Sequence, residues 1–64
     1  MKNNIKYLRK QGGLRQEDIA EKLGVTRQTI NAIENDKYNP TLELAMKLAR
    51  LFDTHVEEIF QLDD

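Results

Sequence analysis

The sequence predicts an all-α fold: five short helices around one small core. Two observations carry this. Apolar residues recur three and four positions apart, and no segment shows the strict alternation of a strand. Four breaks, at Gly12-Gly13, Gly24, Asn39-Pro40 and Asp53-Thr54, cut the 64 residues into five segments. A chain this long forms one domain, residues 1–64, and buries only about 60% of its unfolded surface, so its stability margin is narrow.

The first helix is expected over about Asn3 to Lys10, with Ile5 and Leu8 inward and the glycine pair as its stop. The second is expected over Gln16 to Leu23, with Ile19, Ala20 and Leu23 on one face and Gly24 ending it. The third begins at Arg27 behind a Thr26 N-cap and ends near Asn35. Ile30 and Ile33 form its inner stripe. Pro40 pushes Asn39 toward an extended conformation. Thr41 caps a fourth helix over about Leu42 to Phe52, apolar at positions 42, 44, 45, 46, 48, 49, 51 and 52. So wide an apolar surface predicts burial on more than one side. The fifth is a short helix over about Val56 to Phe60, with Val56, Ile59 and Phe60 inward. Either Thr54, in a capping box with Glu57, or His55 starts it.

Only "GVT" separates the second helix from the third. So short a turn makes the two cross steeply, as in a helix-turn-helix unit at about 16–35. Close crossing needs a small residue, which Ala20 supplies. Gly24 provides the positive φ, Val25 plugs the corner, and Ile30 and Ile33 close the wedge. The outer face of the third helix holds Arg27, Gln28, Asn31, Ala32 and Asn35. An ordinary solvated face is rich in Lys and Glu; this one is mostly amides.

These residues bring a resemblance into view. The stretch "RQEDIAEKLGVTRQTINAIENDKYNPTLELAMKLARLF" resembles the Cro/C1-type (XRE-like) helix-turn-helix family of phage repressors and small bacterial regulators. Nearly the whole chain is covered, and "TRQTINAIENDKYNPTLELA" is similar to small stand-alone members of the cytolysin repressor type. The resemblance implies a lambda-repressor-like bundle of five helices, double-stranded operator DNA as ligand and a homodimer. It also implies an ion pair between Arg9 and Glu34, joining the first and third helices and standing outside the DNA site.

The amide face suits such a ligand. Asn and Gln donate and accept at once, which matches adenine N6 and N7 in the major groove; Arg matches guanine or a phosphate. By the resemblance, Gln28 is the main base reader, with Arg27, Thr29 and Asn31 beside it and Ala32 against a thymine methyl. Gln16, at the N-terminus of the second helix, binds a phosphate and braces the third. Asn35, Lys37, Tyr38 and Asn39 hold the DNA backbone. Taken alone, Lys37 and Tyr38 read as ordinary loop residues, and Asn35 and Asn39 as turn formers.

Composition narrows the alternatives. The net charge is −1, unevenly spread. Residues 1–38 hold eight Lys or Arg and five Asp or Glu, a net of +3; residues 39–64 hold two and six, a net of −4. That polarity lets one end face an anion. With no Cys, disulfides and thiolate metal sites are excluded; with His55 the single histidine, a histidine-built metal site is not expected, nor is a cofactor. There is no glycine-rich phosphate loop, no nucleophile beside a base and no metal spacing, so an enzyme is not expected. No apolar run reaches the roughly 20 residues of a membrane span, and "MKNNIKYLRK" lacks a signal-peptide core, which points to a cytoplasmic protein without a membrane or small-molecule partner.

The sequence departs from the family pattern in four places. Arg15 stands where Ser or Thr commonly caps the second helix. Asp36 and Asp53 stand where glycine is frequent. His55 replaces a typical Ser. A dimer contact is expected in the C-terminal region, 52–64, with Leu51 beside it: Leu51, Phe52, Ile59, Phe60 and Leu62, with "FQLDD" as a strand pairing across the two-fold axis. The competing reading keeps the fold but makes protein binding the main activity, as an antitoxin or adaptor.

Overall fold

The computed structural model describes all 64 residues. Five helices follow in order: α1 Ile5–Gln11, α2 Gln16–Leu23, α3 Arg27–Glu34, α4 Leu42–Leu51 and α5 Val56–Ile59. Two two-residue strands flank them, β1 Lys2–Asn3 and β2 Phe60–Gln61. They pair antiparallel, Lys2 opposite Gln61 and Asn3 opposite Phe60. The all-α expectation thus gains one ribbon. The tail strand exists, and it pairs with the N-terminus of its own chain.

One core joins all five helices. Ile5, Ile19, Ile30, Ile33, Leu48 and Ile59 are fully buried, with Ala20, Leu44, Ala45, Ala49 and Phe60 around them. Leu8, Leu14, Leu23, Val25, Leu51, Phe52 and Val56 pack on its margin. The six full burials contribute on the order of 2 kcal/mol each against leaving them in water. Contrary to expectation, α4 is buried on one side only. Leu42 is 73% exposed and Met46 55%, because no other element reaches that face.

Helices α1 to α4 end in one device. The residue after the last carbonyl takes φ of +70° at Gly13, +72° at Gly24, +59° at Asp36 and +53° at Asp53. Each donates its N–H three residues back, and the next residue donates five back. In α2 these bonds are Gly24 N–H to Glu21 C=O, 3.4 Å, and Val25 N–H to Ala20 C=O, 3.0 Å. In α4 they are Asp53 to Arg50, 3.2 Å, and Thr54 to Ala49, 2.9 Å. This is the Schellman termination, which satisfies the last carbonyls and turns the chain. The two Asp positions therefore hold an L-residue where glycine carries no Cβ penalty.

Helix starts are uneven. Thr26 Oγ1 accepts from Thr29 N–H at 3.2 Å, and Thr41 Oγ1 from Leu44 N–H at 3.2 Å. At α2, Arg15 has no acceptor atom and cannot cap. Only the reciprocal half of a capping box forms there: the Asp18 carboxylate accepts from the Arg15 backbone N–H at 2.8 Å. At α5 the Thr54–Glu57 capping box does not form; His55, the other expected start, takes the N-cap position without a side-chain bond.

Candidate nucleic-acid interface

Helices α2 and α3 are joined by only three residues, Gly24, Val25 and Thr26. With Gly24 left-handed, the chain leaves α2 sharply, and extended Thr26 starts α3 at once. Ala20, Ile30 and Ile33 are buried at the crossing. Arg27, Gln28, Asn31 and Asn35 lie on the outer side and are exposed. Ala32, expected on that face, is half-buried. Thr29 is half-buried too, and its hydroxyl lies 3.0 Å from that of Thr26, so it is engaged in the cap.

Beneath this face runs a continuous polar chain. Arg9 Nε donates to Glu34 Oε2 at 2.7 Å and Nη2 to Oε1 at 3.1 Å. Its third nitrogen donates to Leu14 C=O at 3.1 Å. The two side chains are 12% and 3% exposed, so the ion pair between α1 and α3 is nearly buried. Gln16 Nε2 donates to the same Glu34 carboxylate at 3.2 Å. Asn31 Nδ2 donates to Gln16 Oε1 at 3.4 Å, and Asn35 Nδ2 to Asn31 Oδ1 at 3.3 Å. Asn35 Nδ2 also donates to Asn31 C=O at 2.9 Å. Gln16 therefore braces α3 directly. Gln28 is the one amide on the face without an internal partner.

A shallow depression beside Gln16 is lined also by Arg9, Arg15, Glu17 and Arg27. Arg9 is committed to Glu34. The Arg15 guanidinium lies 2.8 Å from Glu17 and 3.3 Å from Asp18. Its hydrogen bond and charge hold the Asp18 carboxyl below the usual carboxylate range. Arg27 is left as the depression's unpaired cation. Lys37, Tyr38 and Asn39 sit exposed in the loop after α3.

One further residue ties down the end of α3, and sequence reasoning placed it inside α1. Asn3 Nδ2 donates to Ile33 C=O at 2.7 Å and to Asp36 Oδ1 at 2.9 Å, clamping the end of α3 from the ribbon. Only a three-dimensional contact reveals this, since 30 residues separate Asn3 from Ile33. Of the expected dimer residues, Ile59 and Phe60 are buried in the chain's own core and offer no surface. Leu51 and Phe52 are half-buried, and Leu62 is 76% exposed.

Comparison with known proteins places this geometry. A helix-turn-helix family model matches residues 5–59. An uncharacterized HTH-type transcriptional regulator of Methanocaldococcus jannaschii is 55% identical over 64 residues, all of this chain and 97% of the relative. A second, YgzD of Bacillus subtilis, is 45% identical over all of this chain and 97% of its own. Among solved structures, the restriction-modification controller protein C.AhdI of Aeromonas hydrophila superposes with a TM-score of 0.79 at 32% identity, covering 88% of this chain and 85% of that one. A transcriptional regulator from Listeria innocua shares the fold, with a TM-score of 0.83 over all of this chain and 64% of its own. With the turn, the crossing and the matched span in agreement, the chain belongs to the Cro/C1-type helix-turn-helix family, whose relatives here are transcriptional regulators.

Proposed function

We propose that the chain is a sequence-specific regulator that binds double-stranded DNA, similar to the cytolysin repressor type. It acts as a homodimer on a pseudo-palindromic operator and represses by occlusion. The observation that carries this is the exposed amide face of α3, with Gln28 uncommitted and the helix pinned from below by Gln16 and the Arg9–Glu34 pair. A helix of this kind fits the major groove, and a bidentate amide contact discriminates between bases by about 1–3 kcal/mol. Gln28 is the main reader, with Arg27 and Asn31 beside it and Thr29 a lesser contributor. Lys37, Tyr38 and Asn39 contact the backbone. Leu51, Phe52 and Leu62 keep surface for the two-fold contact, which must hold two recognition helices about 34 Å apart.

Selection of bound sites from a random DNA pool tests the reading. The expected result is a two-fold symmetric motif whose best-read position loses its preference in Gln28→Ala, with thermal stability nearly unchanged. Equal affinity for selected and random DNA before and after the change would refute it. Binding should also weaken steeply with salt, about 0.9 log units per tenfold salt for each phosphate neutralised. An antitoxin or adaptor working through an apolar protein contact would show little salt dependence.

A further inference from the structure

Five large apolar side chains stand exposed: Tyr7, Tyr38, Leu42, Met46 and Leu62. Only Leu42 and Met46 share an element. With Arg50 they form one stripe of α4, at i, i+4 and i+8. Glu43 and Lys47 run along one flank of it, joined to each other at 3.2 Å, and the five residues line a shallow groove. Arg50 is exposed and makes no ion pair within the chain. An apolar stripe rimmed by charge is the composition of a protein contact. The C-terminal residues expected at the two-fold contact supply less: Ile59 and Phe60 are in the core, and Leu51 and Phe52 are half-buried.

The order of charges along α4 says what covers the stripe. At 3.6 residues per turn, Glu43 and Arg50 lie about 60° and 40° round the helix from Met46, on the same flank. A two-fold axis at Met46, perpendicular to α4, brings up a second α4 antiparallel and keeps that flank on the same side. A residue three before Met46 and one four after it on the second copy then stand about 1.5 Å apart along the helix, one residue's rise. Glu43 of each copy therefore meets Arg50 of the other, twice per dimer, and Met46 meets Met46 on the axis. A parallel pair would set Glu43 against Glu43 and Arg50 against Arg50, which is repulsive.

We propose that the outer face of α4 is the two-fold contact: it docks antiparallel on the α4 of a second copy, with Leu42 and Met46 at the centre and Glu43–Arg50 pairs at the rim. The proposal rests on the homodimer reading above and moves the contact from the C-terminal region to α4.

Sedimentation equilibrium of the full chain, free and on the selected operator, tests this, with far-UV circular dichroism to confirm the fold of each variant. Met46→Asp sets two carboxylates face to face on the axis; Met46 is 55% exposed, so the core is untouched. The dimer should weaken by about thirtyfold or more, the scale of a central contact residue. Glu43→Arg and Arg50→Glu should each weaken it by about fivefold or more, since two rim pairs are lost. An equimolar mixture of those two variants should recover the dimer, because each chain supplies the charge that the other has reversed. A dimer that Met46→Asp leaves intact puts the contact elsewhere and overturns the proposal while the homodimer reading stands. A mixture that stays monomeric overturns the antiparallel arrangement. A wild type that is monomeric both free and on DNA overturns proposal and reading together, and leaves the stripe to a different protein.

Discussion

Replacing Arg9 with Met keeps the length of the side chain and removes its charge and all its donors. Glu34 then loses two of its three hydrogen bonds, those at 2.7 and 3.1 Å, and keeps one neutral donor, Gln16 Nε2, at 3.2 Å. Its carboxylate is 3% exposed, so water cannot take the place of the guanidinium without opening the α1–α3 contact. Breaking a buried pair from one side costs about 3–5 kcal/mol, and the surviving Gln16 bond argues for the lower end, about 3 kcal/mol. At roughly 0.05–0.15 kcal/mol per residue, the whole domain is stable by about 3–10 kcal/mol. The single change thus removes between a third and all of the margin. At about 4–8 °C per kcal/mol for a domain of this size, the midpoint should fall by about 12–24 °C. Arg9→Met/Glu34→Met should recover most of the loss, because a buried pair and its apolar replacement are often nearly equivalent. Urea and thermal unfolding of the two single variants and the double, followed by far-UV circular dichroism, give the coupling energy directly. A single variant costing less than about 1 kcal/mol, or a double costing the sum of the singles, would refute the view that the pair is a buried unit.

The other expectations are smaller. Asp53→Gly should stabilise the domain by about 0.5–1 kcal/mol, since φ is +53° there and no side-chain bond is lost; denaturant midpoints check it. Lys37→Ala should weaken binding to all DNA sequences alike and lower the salt slope by about one, read by titration at several salt concentrations. On the acid side, two carboxyls lie below their ordinary value: Asp18, through hydrogen bonds from the Arg15 side chain and backbone, and Asp63, through the N-terminal ammonium at 2.8 Å. Because the folded values are depressed, their stabilisation is fully present above the unfolded carboxylate range, near 3.9, and is lost as the pH falls through the folded values. Asp18→Asn should remove part of that acid-side drop and leave the neutral plateau nearly flat, which a pH series of unfolding midpoints would show.

Much of the fold was legible because the deciding signals are local. Gly24 and the Thr26 and Thr41 hydroxyls mark helix ends within four residues of their effect, and α2 has the expected bounds. Asp36 and Asp53 stand out as glycine positions, and both have positive φ. The Arg9–Glu34 pair was available only through family resemblance; nothing within either helix announces a partner 25 residues away. The ribbon was not legible, because a two-residue strand has no alternation to count. Apolar patterning also cannot say what covers a residue. It sent Ile59 and Phe60 toward a partner when the core had taken them, and it buried Leu42 and Met46 when nothing packs there. At the interface, the residue types on α3 were readable, but the order of donors and acceptors depends on distances of a few tenths of an ångström.

The β1–β2 ribbon closes the molecule into a ring. The Met1 amino group ahead of it meets Asp63, and Asn3 reaches from β1 to the far end of α3. Whatever is attached ahead of Met1 takes the charge of that amino group out of its contact and loads a strand that holds α3. An appendage after Asp64 starts beyond both contacts. The two termini lie side by side yet differ in mechanical consequence, so a purification tag belongs behind the last residue and not before the first.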